Sequence, residues 1–198
     1  DALFPVADTP IGRIAAIASE EILYPEIARA HALRGAEIFI HPTSEVSSPL
    51  PTPKNIAKQA RAIENLAYVV SANTAGMSGT PIPQASADRG SKIVDPRGLV
   101  LAEAATGPSM TANAEIDAGL VRRMRRRVAM GNLLARTPSA LWSQAYAGTP
   151  AHPGNTLLPA LQNADRGAKG VVLDADVFFF FFFLFVLCFF FFFFFLIV

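Results

Sequence analysis

A serine followed by two glutamates stands at the end of an apolar, strand-like segment near the start of the chain. Residues 14–18 are small or β-branched and uncharged, which is typical of a strand buried on both faces. Tyr24 and Pro25 then open a helix, because proline is tolerated in a first helical turn. Ser19 is therefore predicted to lie on a sharp strand-to-helix turn. Backbone N–H groups beside such a turn can hold a developing oxyanion, as a nucleophile in acyl transfer requires.

Further polar residues follow the next predicted strand, at residues 36–40. His41 and Thr43 come directly after it. The strand–helix–strand unit is short, so its two strands should be parallel neighbours. Their carboxyl ends then share one edge of the sheet, where open α/β sheets bind ligands. We expect Ser19 and His41 to meet at that edge.

Residues 12–29 resemble the nucleophile segment of the nitrilase (carbon–nitrogen hydrolase) superfamily, which reads roughly Gly-Lys-Ile-Gly-Val-x-Ile-Cys-Tyr-Asp-x-x-Phe-Pro-Glu-x-x-Arg. The matching positions fall in register without a gap: Gly12, Ile14, Ile17, Tyr24, Pro25, Glu26 and Arg29. The family's cysteine falls on Ser19 and its aspartate on Glu21. Residues 90–103, Gly-Ser-x-Ile-Val-Asp-Pro-x-Gly-x-Val-Leu-Ala-Glu, are also family-like. The resemblance covers roughly residues 1–135 and continues more weakly to about 158.

The resemblance implies an α/β fold, an αββα sandwich that we expect to be incomplete at the N-terminus. It also implies hydrolysis of non-peptide C–N bonds in small amides, nitriles or carbamoyl compounds, without a cofactor or a metal. The nucleophile position is Ser19, and the predicted substrate-binding residues are Glu21, Tyr24, His41, Thr43 and Asn73. His41 is predicted from the shared sheet edge, and the resemblance adds Asn73.

The expected activity is severely impaired or absent. The family's triad is Glu–Lys–Cys, with the glutamate and lysine upstream of the nucleophile, and none of the 18 residues before Ser19 is Lys or Glu. A serine hydroxyl needs a far stronger base than a cysteine thiol. Replacing Ser19 by cysteine is not expected to restore activity, because nothing upstream lowers the thiol pKa. The alternative is a non-catalytic binding or oligomerisation module with the same fold.

Two other interpretations of the polar residues are weaker. Ser19, His41 and either Glu21 or Glu45 could form a serine-hydrolase constellation, but the chain has no G-x-S-x-G elbow. The basic run 122–127 could suggest nucleic acid, but no aromatic residues interleave it. A solvated helix face or an oligomer salt bridge is the simpler interpretation.

Composition divides the chain at Val177. The net charge of +1 favours no polyanionic partner, and a single cysteine, Cys188, excludes an intrachain disulfide. We expect a partial hydrolase domain at 1–136, an arm at 137–177, and an apolar tail at 178–198 that holds 14 of the 16 phenylalanines. The tail suggests either a sequence artefact or a membrane anchor. Otherwise we expect a cytoplasmic homo-oligomer with a small-molecule substrate and no nucleic-acid or membrane partner.

The remaining elements follow from periodicity and turn residues. Strands are predicted at 3–7, 12–18, 68–73, 91–94, 99–102 and 112–116, and helices at 25–34, 54–67 and 118–127. Predicted buried faces are Ile27, Ala30 and Leu33 on the first helix, and Ile56, Ala60, Ile63 and Ala67 on the second. His31 has helix-surface spacing.

Overall fold

The computed structural model describes residues 3–45, 48, 50–75, 79, 81, 90–104 and 110–148. Residues 76–78 and 80, the part of the predicted arm beyond 148 and the phenylalanine-rich tail lie outside these residues. The chain divides into two compact units, Asp1–Ser139 and Ala140–Val198. The described part of the second unit is helical, being the greater part of the helix Ser139–Gly148.

The described residues form a six-stranded sheet in which every strand lies beside its neighbours in sequence. The strands are β1 Ala7–Thr9, β2 Gly12–Ala16, β3 Ile38–Thr43, β4 Tyr68–Asn73, β5 Lys92–Val94 and β6 Val100–Glu103. β2, β3 and β4 are parallel, and β1, β5 and β6 join them by antiparallel pairing. The predicted parallel unit is therefore confirmed, and the carboxyl ends of β2, β3 and β4 share one edge.

Among the described residues, two α-helices connect the parallel strands and three follow β6 in sequence. A short 3-10 helix, Ser19–Leu23, precedes the first of them, and the α-helices are α1 Pro25–Leu33, α2 Pro53–Asn65, α3 Ala118–Arg126, α4 Leu133–Arg136 and α5 Ser139–Gly148. Both connecting helices begin with proline, as the sequence predicts for α1. Thr52 caps α2 by accepting a hydrogen bond from the Asn55 N–H at 3.2 Å.

The core lies between the sheet and the helices α1 and α2. Ile17, Ile22, Phe39, Val69 and Val94 are fully buried there. A smaller cluster on the other side of the sheet is closed by Val121 from α3. Apolar positions that alternate along β3 and β4 thus contribute to two layers, as strands covered on both faces do.

Two predicted elements and the predicted exposure of one histidine were wrong. The first strand begins at Ala7 rather than Leu3, because Phe4 has a left-handed backbone (φ 60°) and turns its ring onto His31 with centroids 5.5 Å apart. His31 is consequently buried at 4% exposure, not on the helix surface. Residues 112–116 are not a strand and form an irregular connection into α3.

The predicted buried faces of both connecting helices were wrong in part: Ile27 packs against the core and Ala67 is fully buried, as expected, but other members of the two faces are exposed. On α1, Leu33 is 66% exposed while the core side carries Ala28, His31 and Ala32. On α2, Ile56 is 60% exposed, and the buried side carries Ala57, Lys58, Arg61, Ala62 and Asn65. The physical reason on α2 is that buried polar side chains find partners: Arg61 donates to the carbonyl oxygens of Ile22 and Leu23 at 3.0 and 3.3 Å.

The basic run on α3 is used in part to anchor that helix. Arg122 forms a two-pronged ion pair with the buried Glu37, at 2.5 and 3.0 Å. Arg125 donates to three main-chain carbonyls, those of Ala36, Asn65 and Leu66, at 2.6 to 3.2 Å. Burial lowers the pKa of Arg125 to about 10. Two of the arginines that could suggest nucleic acid therefore bind the protein itself.

Candidate active site

Ser19 lies on a strained turn at the carboxyl edge of β2. Directly after β2, the Ile17 N–H donates to the Ile40 carbonyl at 2.9 Å, and the 3-10 helix begins two residues later. Ser19 has φ 42°, a left-handed conformation that costs a non-glycine residue about 1–3 kcal/mol. Glu21 closes the turn, because its carboxylate accepts the Ala18 N–H at 2.6 Å. The predicted strand-to-helix turn at Ser19 is present.

His41 holds this turn from the neighbouring strand. It is fully buried, its Nε2 lies 3.0 Å from the Ser19 carbonyl oxygen, and its Nδ1 lies 2.9 Å from Ser71 Oγ. A carbonyl can only accept, so Nε2 carries the proton and Nδ1 accepts from the Ser71 hydroxyl. Burial is the main reason that the pKa of His41 falls to about 4, opposed by its bond to Ser19 and assisted by nearby Lys58.

The neutral His41 ring cannot take a proton from the Ser19 hydroxyl in this arrangement, since both of its nitrogens are already bonded elsewhere. The structure thus brings the two residues together, as expected, but through the Ser19 backbone. A serine–histidine relay requires a ring nitrogen at Oγ. His41 is a positioning residue for the turn.

Lys54 reaches the Ser19 hydroxyl from α2. Its Nζ lies 3.2 Å from Ser19 Oγ and forms an ion pair with the Glu20 carboxylate. The Lys54 side chain is 13% exposed, whereas that of Glu20 is 66% exposed. Sequence reasoning missed Lys54, which stands 35 residues from Ser19. A usable signal was present: α2 follows β3, so the first turn of α2 begins near the carboxyl edge of the parallel strands.

A buried ion pair, one helical turn after Lys54 on α2, stabilises the same edge of the sheet. Lys58 Nζ lies 2.5 Å from Glu45 Oε1, and both side chains are almost completely buried. The other carboxylate oxygen of Glu45 accepts from Thr52 and Asn55 at 2.9 and 3.3 Å. These bonds tie the first turn of α2 to the segment that follows β3.

Thr43 and Asn73 end the two central strands side by side, in register. Asn73 Oδ1 accepts the Glu45 N–H at 2.9 Å. Thr43 Oγ1 and Asn73 Nδ2 are buried, and neither has a hydrogen-bond partner within the described part of the chain. Residues two apart on a strand face the same side, so both lie on the His41–Ser71 side, one step nearer the edge. A buried acceptor and donor without partners can bind a polar ligand.

The remaining predicted substrate-binding residues are placed differently. Glu21 has one carboxylate oxygen engaged with the backbone of the turn. Tyr24 lies beyond the far end of the 3-10 helix with 59% of its surface exposed. No group of three or more His, Cys, Asp and Glu side chains among the described residues is placed to hold a metal ion. Within the same residues, no helix combines the length and apolar character needed to cross a membrane.

Comparison with known proteins defines the class of this fold. Solved structures of the nitrilase superfamily share the α/β architecture: an amidase from Nesterenkonia AN1, in a cysteine-to-serine variant, superposes with a TM-score of 0.57 at 25% identity, over 73% of this chain and 49% of that one. The Caenorhabditis elegans NitFhit protein superposes with a TM-score of 0.60 at 32% identity, over 69% of this chain and 32% of that one. The nitrilase-like α/β fold expected from the sequence is confirmed.

The family follows from the sequence match. A family model described as carbon–nitrogen hydrolase matches residues 1–126, and the chain belongs to that family. It is 35% identical to the deaminated glutathione amidase of Homo sapiens over 121 residues, which are 61% of this chain and 36% of the human protein. The chain thus spans little more than a third of the curated amidase it matches and about half of the amidase structure.

Proposed function

We propose that this chain binds small non-peptide amides, nitriles or carbamoyl compounds at the Ser19 edge and hydrolyses their C–N bonds at a severely reduced rate. The observation that carries the proposal is the placement of Ser19. It is held on a strained turn at the carboxyl edge of three parallel strands, with its hydroxyl within hydrogen-bonding distance of a lysine. Ligand sites of open α/β sheets lie at this edge.

The substrate class is supported by the relatives and by the polar atoms of the site. The human relative is a deaminated glutathione amidase, and the structural relative from Nesterenkonia is an amidase. An amide presents one carbonyl acceptor and an N–H donor. Asn73 Nδ2 can donate to the first, and Thr43 Oγ1 can accept from the second; both atoms are buried without a partner among the described residues.

The slow rate follows from the chemistry of residue 19. A hydroxyl becomes a good nucleophile only when a base removes its proton during attack. The nearest histidine has both ring nitrogens engaged, and the lysine is ion-paired with Glu20. No described side chain in contact with Ser19 Oγ is therefore arranged as a free base.

The test is ammonia release from acetamide and related small amides by the full chain, with Ser19→Ala as the matched control. We expect turnover at least about 1000-fold below the ~1–1000 per second of ordinary enzymes, and none after Ser19→Ala. Turnover at ordinary rates would contradict the impaired activity. Turnover unchanged by Ser19→Ala would contradict the role of Ser19.

A non-catalytic binding module is the second candidate, favoured by the Lys54 contact, since an ammonium that donates to Ser19 Oγ cannot also accept its proton. Ligand-detected NMR with the same amides distinguishes the two. Binding by both the wild-type and Ser19→Ala chains without any turnover would establish the second candidate. Absence of binding and turnover would refute both.

A further inference from the structure

We propose that Lys54 supplies the cation of this site and that its ammonium group stabilises negative charge on the side-chain atom of residue 19. The inference rests on the proposed function in taking residue 19 as the nucleophile position. It assigns a cation that the family resemblance does not supply, because the family's lysine lies on a segment upstream of the nucleophile. Lys54 lies downstream, in the first turn of α2.

The geometry holds the ammonium group in place from two sides. Its Nζ lies 3.2 Å from Ser19 Oγ and is ion-paired with Glu20, the next residue along the chain. The lysine side chain is 13% exposed, so it is mostly withdrawn from solvent. Thr52 caps the helix just before it, and the buried Glu45 binds Thr52 in turn. The position of Nζ is therefore set by the fold.

One of the other charged groups near residue 19, the Glu20 carboxylate, offsets part of this cation's charge. Glu20 is already paired with Lys54, and its side chain is 66% exposed to screening solvent. Glu21 directs one carboxylate oxygen at the Ala18 N–H. His41 is neutral above its pKa of about 4. Behind them, Lys58 and Glu45 form a pair with no net charge.

A cation at this distance has different consequences for a hydroxyl and for a thiol. A serine hydroxyl is too weakly acidic to ionise near neutral pH even beside an ammonium group. A cysteine thiol, with an ordinary pKa of about 8.5, becomes largely thiolate when an opposite charge lowers that pKa by 1–3 units. The surroundings of residue 19 are thus suited to a thiolate. From the sequence, a Ser19→Cys chain was expected to lack a group that lowers the thiol pKa; Lys54 is that group in this proposal.

The test measures a thiol pKa and needs no turnover. Ser19→Cys is made in the full chain in a Cys188→Ser background, so that the new cysteine is the single thiol. Its rate of reaction with iodoacetamide is followed from pH 5 to 10, with the urea-unfolded chain as reference. We expect a pKa of about 6.5–7.5 in the folded chain, roughly a 10- to 100-fold shift in the ionisation constant.

Charge variants identify the cause. Lys54→Met added to Ser19→Cys should return the thiol pKa to about 8.5 or above, and Lys54→Arg should keep it low. Lys92→Met is the matched control, since Lys92 is equally shielded (10% exposed) and ion-paired with Glu103. It lies three strands from β2, roughly 14 Å away, beyond the ~8 Å Debye length, and should leave the pKa unchanged.

The outcomes are distinct. A folded-state thiol pKa at or above 8.5, or one that Lys54→Met leaves low, would overturn the assignment. If the Lys54→Met chain does not melt cooperatively, Lys54→Gln takes its place, because it retains a polar end without the charge. A lowered, Lys54-dependent thiol pKa together with no binding and no hydrolysis of the amides by the wild-type chain would support Lys54 and contradict the proposed function. Hydrolysis with a Lys54-independent thiol pKa would contradict Lys54 alone.

Discussion

Acidification should destabilise the unit that carries the site, because the buried His41 resists protonation. Burial lowers the pKa of His41 to about 4 in the folded chain, whereas an unfolded histidine titrates near 6.5. Between these two values the unfolded chain binds more protons than the folded chain. Stability contributed by neutral His41 is therefore fully present above pH 6.5 and is lost as the pH falls toward 4.

The size of the loss follows from the two pKa values. A difference of about 2.5 units at about 1.4 kcal/mol per unit sets a ceiling of roughly 3.4 kcal/mol, and at pH 5 the same linkage gives about 2 kcal/mol. An unfolding entropy of about 2.1 cal/mol/K per residue, over the unit Asp1–Ser139, converts this to a fall in Tm of roughly 7 °C.

The assay compares urea unfolding of the full chain at pH 7.5 and pH 5, followed by far-UV circular dichroism. His41→Gln should lose most of the 2 kcal/mol pH dependence, although it is less stable than wild type at pH 7.5. His31→Gln is the matched control. Burial also lowers the pKa of His31, so His31 contributes to the acid sensitivity in the same direction. The His31→Gln chain should therefore keep the pH dependence of stability that His41 causes. Carboxylates that titrate in every variant cancel in the comparison.

Two results would refute this reasoning. One is an NMR titration in which the His41 ring protons shift with a midpoint near 6.5, since that would mean the ring is charged at a cost much smaller than its burial implies. The other is a His41→Gln chain that loses as much stability between pH 7.5 and pH 5 as the wild-type chain. The second result would assign the acid sensitivity to other groups.

Two further predictions concern stability. Lys58→Met should cost about 3–5 kcal/mol in the free energy of urea unfolding, because it leaves a buried carboxylate without its cation. Asp8→Asn is the control: it breaks an exposed ion pair and should cost less than about 1 kcal/mol. Equal losses in the two variants would show that burial does not decide the cost of breaking an ion pair. Gly98→Ala should lower the thermal midpoint by an amount corresponding to about 1–2 kcal/mol, because Gly98 has φ +83° and an added Cβ would lie 2.5 Å from Ile63 Cδ1. Gly131→Ala, where an added Cβ meets nothing within 4 Å, is the control, and a Gly98→Ala melt that coincides with it would contradict the strain.

Much of the sheet could be predicted because the relevant signals are local. The strand at 68–73 was confirmed residue for residue, since it is a compact apolar run followed by a polar end. The turn at residues 95–98 is present, with Asp95 accepting from the N–H groups of Arg97 and Leu99 and with Gly98 left-handed. The parallel pairing of β2 and β3 followed from the short helical connection between them. Chain connectivity and turn chemistry sufficed for each of these features.

Helix orientation could not be predicted from apolar periodicity. The isoleucines of α2 suggested a buried stripe, yet Ile56 is exposed and Lys58 is buried. Charged side chains can be buried when an acidic group or a carbonyl oxygen binds them. Here Glu45 pairs with Lys58, and a carbonyl of the 3-10 helix accepts from Arg61. A helical wheel contains no information about partners on other segments.

The sequence by itself determined the family, the strand order of the parallel unit and the presence of Ser19 on a turn at the carboxyl edge, because these depend on motif spacing and short connections. The tertiary structure alone decided what surrounds Ser19. It placed His41 on the serine's carbonyl instead of its hydroxyl, and it brought Lys54 to that hydroxyl from 35 residues away. The physical reason is that the direction of a hydrogen bond and the proximity of a charge are set by packing between segments. These contacts are made over about 3 Å, and the spacing of residues along the chain does not specify them.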